Sequence, residues 1–289
     1  MLKLVIAITL FSSLQLNAQQ IPARWDELTA TDWPSALKKS AYTCILPVGI
    51  LEKHGMHLPF GTDVMNAVEW SLRATQKEYA VVFPGYFFGQ NFRNRHQPGT
   101  ITLPSKLLLE MLESTCEEIG RNGFKRIIIV NGHGGNVMLL RYFMLTHLEK
   151  KRSYALYFYE GGQDNDAEYR KKVAALKKSD PALNNGHAGE EETSGMLYTN
   201  PSLVKFDQAE KESGLSTQKL VLPKYLFTPI YWFANFPFQY AGEGSKATVE
   251  YGKLITDHQV ETLIKALKTV KADVKTLEFQ EKFFNEVFN

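Results

Sequence analysis

Residues 44–63 read Cys44-Ile45-Leu46-Pro47-Val48-Gly49-Ile50-Leu51-Glu52-Lys53-His54-Gly55-Met56-His57-Leu58-Pro59-Phe60-Gly61-Thr62-Asp63. The apolar run Cys44 to Val48 has the length and composition of a buried strand, and Gly49 ends it. Glu52, His54, His57 and Asp63 follow almost at once. Carboxylates are seldom buried unless they are paired or bind a metal, so this many ionisable groups beside an apolar strand end point to a site. The alternative is a solvated loop carrying two stray histidines.

Outward from this stretch, strand-like and helix-like segments alternate. Ile21 to Leu37 reads as a short helix entering the first strand, with Thr29, Thr31 and Asp32 as candidate caps and Pro34 suited to a first turn. Val64 to Glu78 is expected to be helical and Ala80 to Phe83 a second strand. From Ser105 to Asn122, the residues Leu107, Leu108, Met111, Leu112, Thr115 and Ile119 recur at helical spacing, with Ser105 as candidate cap and Gly123 beyond the end. Ile127-Ile128-Ile129-Val130 is β-branched without alternation, as in a strand covered on both faces. A helical pattern runs from there to Lys150, then a strand over Tyr154 to Tyr159 and a helix over Ala167 to Lys178. Asp257 to Asn289 reads as a terminal helix.

This alternation predicts an α/β fold, a parallel sheet with helices on both faces joined by right-handed crossovers. Ligands bind such sheets beyond the carboxyl ends of the strands. Asn131-Gly132-His133-Gly134-Gly135-Asn136 also follows a strand, so His133 is expected to meet the Glu52 to Asp63 cluster in space. A third cluster lies in Asn184 to Leu197, where Glu190 and Glu191 suit a helix N-terminus while His187 and Glu192 are harder to account for structurally.

With 44% hydrophobic and 12% aromatic residues in 289, the chain can build a packed core, and no internal repeat or linker divides it. A net charge of +2 without long single-sign blocks gives no basis for nucleic acid or an anionic membrane as partner. Met1-Leu2-Lys3, the apolar run Leu4 to Leu14 and Leu16-Asn17-Ala18 have the plan of a secretory signal peptide cut after Ala18, with an uncleaved anchor as the competing reading. The expected location is periplasmic or secreted, with residues 19–289 forming the mature domain. Cys44 and Cys116 are expected as buried free thiols, a bridge being the alternative. The aromatic stretch Tyr225 to Tyr240 reads as core or oligomer contact ahead of a ligand lid. Arg93, Arg95 and His96 form a loop read in two ways, as a pair of arginines for a substrate carboxylate or as solvated surface.

Together the three clusters resemble the creatininase (creatinine amidohydrolase) family. The resemblance rests on Pro47-Val48-Gly49 with Glu52, His54, Gly55, His57, Leu58, Pro59 and Asp63, on Asn131 to Asn136, and on His187-Ala188-Gly189 with Glu192-Thr193-Ser194. Weaker agreement continues at Pro98-Gly99-Thr100 and at Ala247-Thr248 with Gly252. It implies a three-layer α/β/α fold with a mostly parallel central sheet, a homo-oligomer that is often a hexamer, and two divalent metal ions, zinc or manganese, with iron a further candidate. Glu52, His54, Asp63 and His133 are the implied ligands, Asp63 being shared, and His57 is placed behind them or in a structural role.

The implied reaction is hydrolysis of the C–N bond of a small cyclic or linear amide by a metal-bridging hydroxide, with His187 donating a proton to the leaving nitrogen and Glu192 acting beside it. Two departures qualify this. Creatinine-hydrolysing members carry a metal-binding Glu where this chain has Gly135, so Glu192 becomes the candidate replacement ligand. They also use tryptophans ahead of the third motif, and none lies between Tyr154 and His187. The alternatives are a non-catalytic metal-binding or assembly protein with this fold, or a deformylase or peptide-trimming member. A serine hydrolase is disfavoured by the lack of a Gly-x-Ser-x-Gly elbow.

Overall fold

The computed structural model describes residues 21–161, 166–183 and 186–288. The expected signal peptide, residues 1–18, lies outside them. Among the described residues no helix is long and apolar enough to cross a membrane.

Strands β1 (Thr43–Val48), β2 (Val81–Val82), β3 (Arg126–Asn131) and β4 (Ala155–Tyr159) form one sheet in the order β2-β1-β3-β4, every pairing parallel. The helices are α1 (Trp33–Lys39), α2 (Thr62–Thr75), α3 (Ser105–Arg121), α4 (Val137–Thr146), α5 (Ala167–Leu176), α6 (Glu190–Thr199), α7 (Tyr231–Asn235), α8 (Val249–Ala272) and α9 (Lys275–Val287). Strand β3 shows why the sequence there does not alternate. Ile127 and Ile129 pack with Leu112, Cys116 and Ile119 of α3 and with Leu140 and Phe143 of α4. Ile128 and Val130 pack on the other face with Ala67 and Ala74 of α2 and with Leu263 and Leu267 of α8. Each such fully buried aliphatic side chain contributes about 1.5–3 kcal/mol, which makes this strand the centre of a three-layer α/β/α structure.

Several boundaries differ from the sequence expectation, each for a local reason. Strand β2 covers two residues instead of four, because Pro84 has no N–H to give the ladder, and pairing with β1 resumes only as a single bridge between Tyr86 and Val48. Helix α2 starts at Thr62, which places Asp63 inside its first turn instead of ahead of it. Ser105 is the first helical residue after Pro104 and makes no capping bond, and Leu107 is exposed while Leu108, Leu112, Cys116 and Ile119 form the buried stripe. The single terminal helix is two, α8 and α9. They break at Asp273, whose carboxylate accepts from the backbone N–H of Lys275 and Thr276 and from the Tyr157 hydroxyl. Both cysteines are buried and free.

Connectivity explains where the site forms. Helix α2, between β1 and β2, packs on one face, while α3, between β2 and β3, packs on the other. The chain thus reverses direction across the sheet between β1 and β3, and a crevice opens at such a switch point beyond the strand ends. Register does the rest: Val48 pairs with Asn131, so the loops after β1 and β3 leave the sheet side by side. The first turn of α2 closes directly on them, since a Cβ at Gly132 would lie 2.1 Å from the Asp63 carbonyl oxygen. Gly132→Ala is therefore expected to push α2 off the strand ends and lower stability by about 1–3 kcal/mol, read as a fall in the urea midpoint. An unchanged midpoint would show that this approach does not matter.

Candidate metal centre

Three backbone carbonyls aim three histidines. The His54 ring donates from Nδ1 to the Glu52 carbonyl at 3.0 Å, which turns Nε2 toward Asp63 Oδ1 at 3.1 Å. The His133 ring donates from Nε2 to the Gln90 carbonyl at 3.2 Å, which turns Nδ1 toward Asp63 Oδ2 at 2.9 Å and Glu52 Oε1 at 3.0 Å. His187 donates from Nε2 to the Lys53 carbonyl at 2.8 Å, leaving Nδ1 3.7 Å from Glu52 Oε1. A carbonyl oxygen can only accept, so in each ring the nitrogen facing the cluster is free to hold a metal or a proton.

All of these groups are buried, Glu192 excepted, which is partly exposed. They fall into three overlapping sets: Glu52 with Asp63 and His133, His54 with Asp63 and Glu192, and Glu52 with His54 and His187. Asp63 belongs to the first two, one oxygen toward each histidine. Burial opposes charge on His54 and His133, yet the neighbouring carboxylates outweigh it and push both up to about 10. Burial likewise opposes charge on Glu52 and Asp63, and the imidazoles outweigh it and hold both below the usual carboxylate range. The cluster thus demands positive charge at its centre. Glu52 Oε1 and Asp63 Oδ2 are buried with no hydrogen bond of good geometry. Unsatisfied carboxylate oxygens facing bare imidazole nitrogens are the donor set expected for a divalent zinc- or manganese-type ion, so the residues fit such a group.

Glu192 arrives from the first turn of α6. Its Oε2 accepts from the Ala188 N–H at 2.6 Å and lies 3.8 Å from His54 Nε2. Ala188 holds a left-handed φ of 54°, uncommon for alanine, which fits a turn shaped to aim its N–H at that carboxylate. Gly135 has no room for a side chain, because a Cβ there would sit 2.3 Å from His133 Nε2. Glu190 is structural, accepting from the N–H of Lys178 and Ser179. His57 stands behind the cluster in none of the three sets. Its Nε2 lies 2.9 Å from Thr193 Oγ1, and burial pulls its pKa down to about 4.

Two residues that the sequence did not single out hold Glu52 in place. Gln239 Nε2 donates to Glu52 Oε2 at 2.7 Å and Asn94 Nδ2 donates to the same oxygen at 2.5 Å. Gln239 in turn accepts from Trp232 Nε1 at 2.6 Å, and the Trp232 ring lies edge-on to His187 at 5.9 Å. No local pattern announces an amide that works on a carboxylate 187 residues away.

The aromatic stretch divides three ways. Phe236 and Tyr240 are core, Tyr225 is 86% exposed, and Phe227, Tyr231 and Trp232 line a cavity of about 750 Å³ beside Gly134 and Gly135. Of the arginine loop, only Arg93 reaches this cavity. Arg95 is exposed, and His96 lies against Phe233 and the Pro237 carbonyl, so the expected pair of arginines is a single one.

A profile of the creatininase family, described as creatinine amidohydrolase, matches residues 26–267, and the chain belongs to that family. It is 28% identical over 197 residues to creatinine amidohydrolase of Pseudomonas putida, covering 63% of this chain and 74% of that one. It is 34% identical over 173 residues to the mycofactocin precursor peptide peptidase of Mycolicibacterium smegmatis, covering 57% and 60%. A solved structure described as "Creatininase Mn" superposes with a TM-score of 0.71 at 22% identity, over 87% of this chain and 100% of that one, and a related mutant is described as Zn-Zn type.

Gln239→Leu removes one donor to Glu52 and the anchor of Trp232. It is expected to weaken manganese or zinc binding by about 10–100-fold, measured by competition with a chelating dye. Undiminished affinity would show that Gln239 does not orient the carboxylate.

Proposed function

We propose that this creatininase-family amidohydrolase is metal-dependent, cleaves the C–N bond of a small amide, and works outside the cytoplasm. The observation that carries the reading is the pair of buried oxygens, Glu52 Oε1 and Asp63 Oδ2, left without hydrogen bonds beside His133 Nδ1. Glu52, Asp63 and His133 would hold one divalent ion and His54, Asp63 and Glu192 a second. Bound there, zinc or manganese supplies Lewis-acid polarisation of an amide carbonyl and water of lowered pKa. Nδ1 of His187 is the atom that passes a proton to the departing nitrogen, its ring held still by the Lys53 carbonyl. The Trp232 ring lies edge-on to that imidazole at 5.9 Å and walls one side of it. The cavity beyond, about 750 Å³, also favours a second reading in which the amide belongs to a short peptide.

Elemental analysis of the mature protein, reloaded with zinc or manganese, is expected to give about two ions per chain, lost in Asp63→Ala. One ion would favour a mononuclear hydrolase or a binding role, and none would sink the reading. His187→Ala should lower turnover by about 10²–10⁴-fold with metal content unchanged, and unchanged turnover would remove its role.

Self-association and export complete the proposal. Tyr142 and Leu145 of α4, both more than half exposed, support a face covered by another copy. Protein recovered from the periplasm should begin after Ala18 and sediment as an oligomer that Leu145→Glu dissociates. A retained leader, or the same sedimentation in the variant, would remove the corresponding part.

A further inference from the structure

Beyond the metal centre, the cavity carries a charge without a counterpart. Its lining comprises sixteen residues, among them Phe92, Met138, Leu226 and Phe227, and includes no aspartate or glutamate. Two cations face it, Arg93 and Lys224. Arg93 is only partly exposed, and burial lowers its pKa while Glu52 opposes that shift. Among the described residues no carboxylate lies within ion-pair distance of its guanidinium. Its contact is instead the face of Trp232, 4.6 Å from the ring centroid. A half-desolvated guanidinium stacked on an indole has its flat side satisfied and its five N–H donors free at the edge, which is the geometry that receives a carboxylate through two parallel hydrogen bonds.

The position of Trp232 sets the direction. One ring touches Arg93, lies edge-on to His187, and donates through Gln239 to Glu52. The part of a substrate that lies along Trp232 is therefore the part that leaves with the nitrogen served by His187, and its far end meets Arg93. The apolar lining takes the body of that part.

We infer that the chain's substrates are amides whose departing amine carries a carboxylate and an apolar side chain, as in an N-acyl amino acid or the C-terminal bond of a short peptide, with Arg93 binding the carboxylate. This rests on the amidohydrolase reading above. In the reaction, water adds to the acyl carbon, the C–N bond breaks, the nitrogen takes one proton, and the products are an acyl carboxylate and an amino acid. Arg93 touches only the carboxylate and acts on specificity.

The test compares N-acetylphenylalanine with N-acetylphenethylamine, which differs only in lacking the carboxylate, on the metal-reloaded protein. The wild type is expected to favour the first by about 10–100-fold in kcat/KM, with Arg93→Met bringing the ratio close to one and Arg93→Lys keeping part of it. A ratio within one protein does not depend on how much of it folds. Equal hydrolysis of both compounds by the wild type, or a preference that survives Arg93→Met, overturns the inference and leaves the amidohydrolase reading standing. If neither is cleaved, these compounds give that reading no support, and calorimetric titration of the same two compounds decides the inference. Tighter binding of N-acetylphenylalanine that is lost in Arg93→Met supports it, and equal affinities overturn it.

Discussion

The constraint on which the rest depends is negative charge held away from water. Two carboxylates, Glu52 and Asp63, are buried beside each other at the end of a parallel sheet, with Glu192 close by. The effective cost of desolvating each charge is several kcal/mol, so nothing but positive charge and aligned donors allows them to stay. The fold provides both. Asp63 sits in the first turn of α2, where the helix dipole favours negative charge, Gln239 and Asn94 donate to Glu52, and His54 and His133 bring ring nitrogens to the oxygens that remain.

Three backbone carbonyls then decide the chemistry. Without the carbonyls of Glu52, Lys53 and Gln90, the three imidazoles would be free to swivel, and either ring nitrogen would face the carboxylates. Two of these carbonyls, those of Glu52 and Lys53, belong to the loop after β1, so that loop supplies the Glu52 carboxylate and orients two of the rings from adjacent residues. His54 is held through Nδ1 while His133 and His187 are held through Nε2.

Gly135 shows how packing limits what a position beside the cluster can carry. It lies so close to His133 that a side chain would displace the imidazole, while the carboxylate of Glu192 reaches to 3.8 Å from His54 Nε2 from the first turn of α6. The two positions lie 57 residues apart in the chain, and only the fold brings both to the same cluster.

Much of this was legible in the sequence, because it is local. A short β-branched run without alternation fits a strand covered on both faces, and Glu52, His54 and His133 each follow a strand within a few residues, with Asp63 in the same stretch, so the α/β class and the meeting of two clusters followed from chain order and parallel geometry. What the tertiary structure alone decided depends on contacts between distant segments. It placed Asp63 inside α2, split the terminal helix at Asp273 where Tyr157 reaches it, and left Arg93 facing the cavity while Arg95 turned outward. It also brought Gln239 and Asn94 to one oxygen of Glu52. Such pairings are set by which side chains the folded core leaves in reach of one another, and neighbouring residues in the chain carry no record of that.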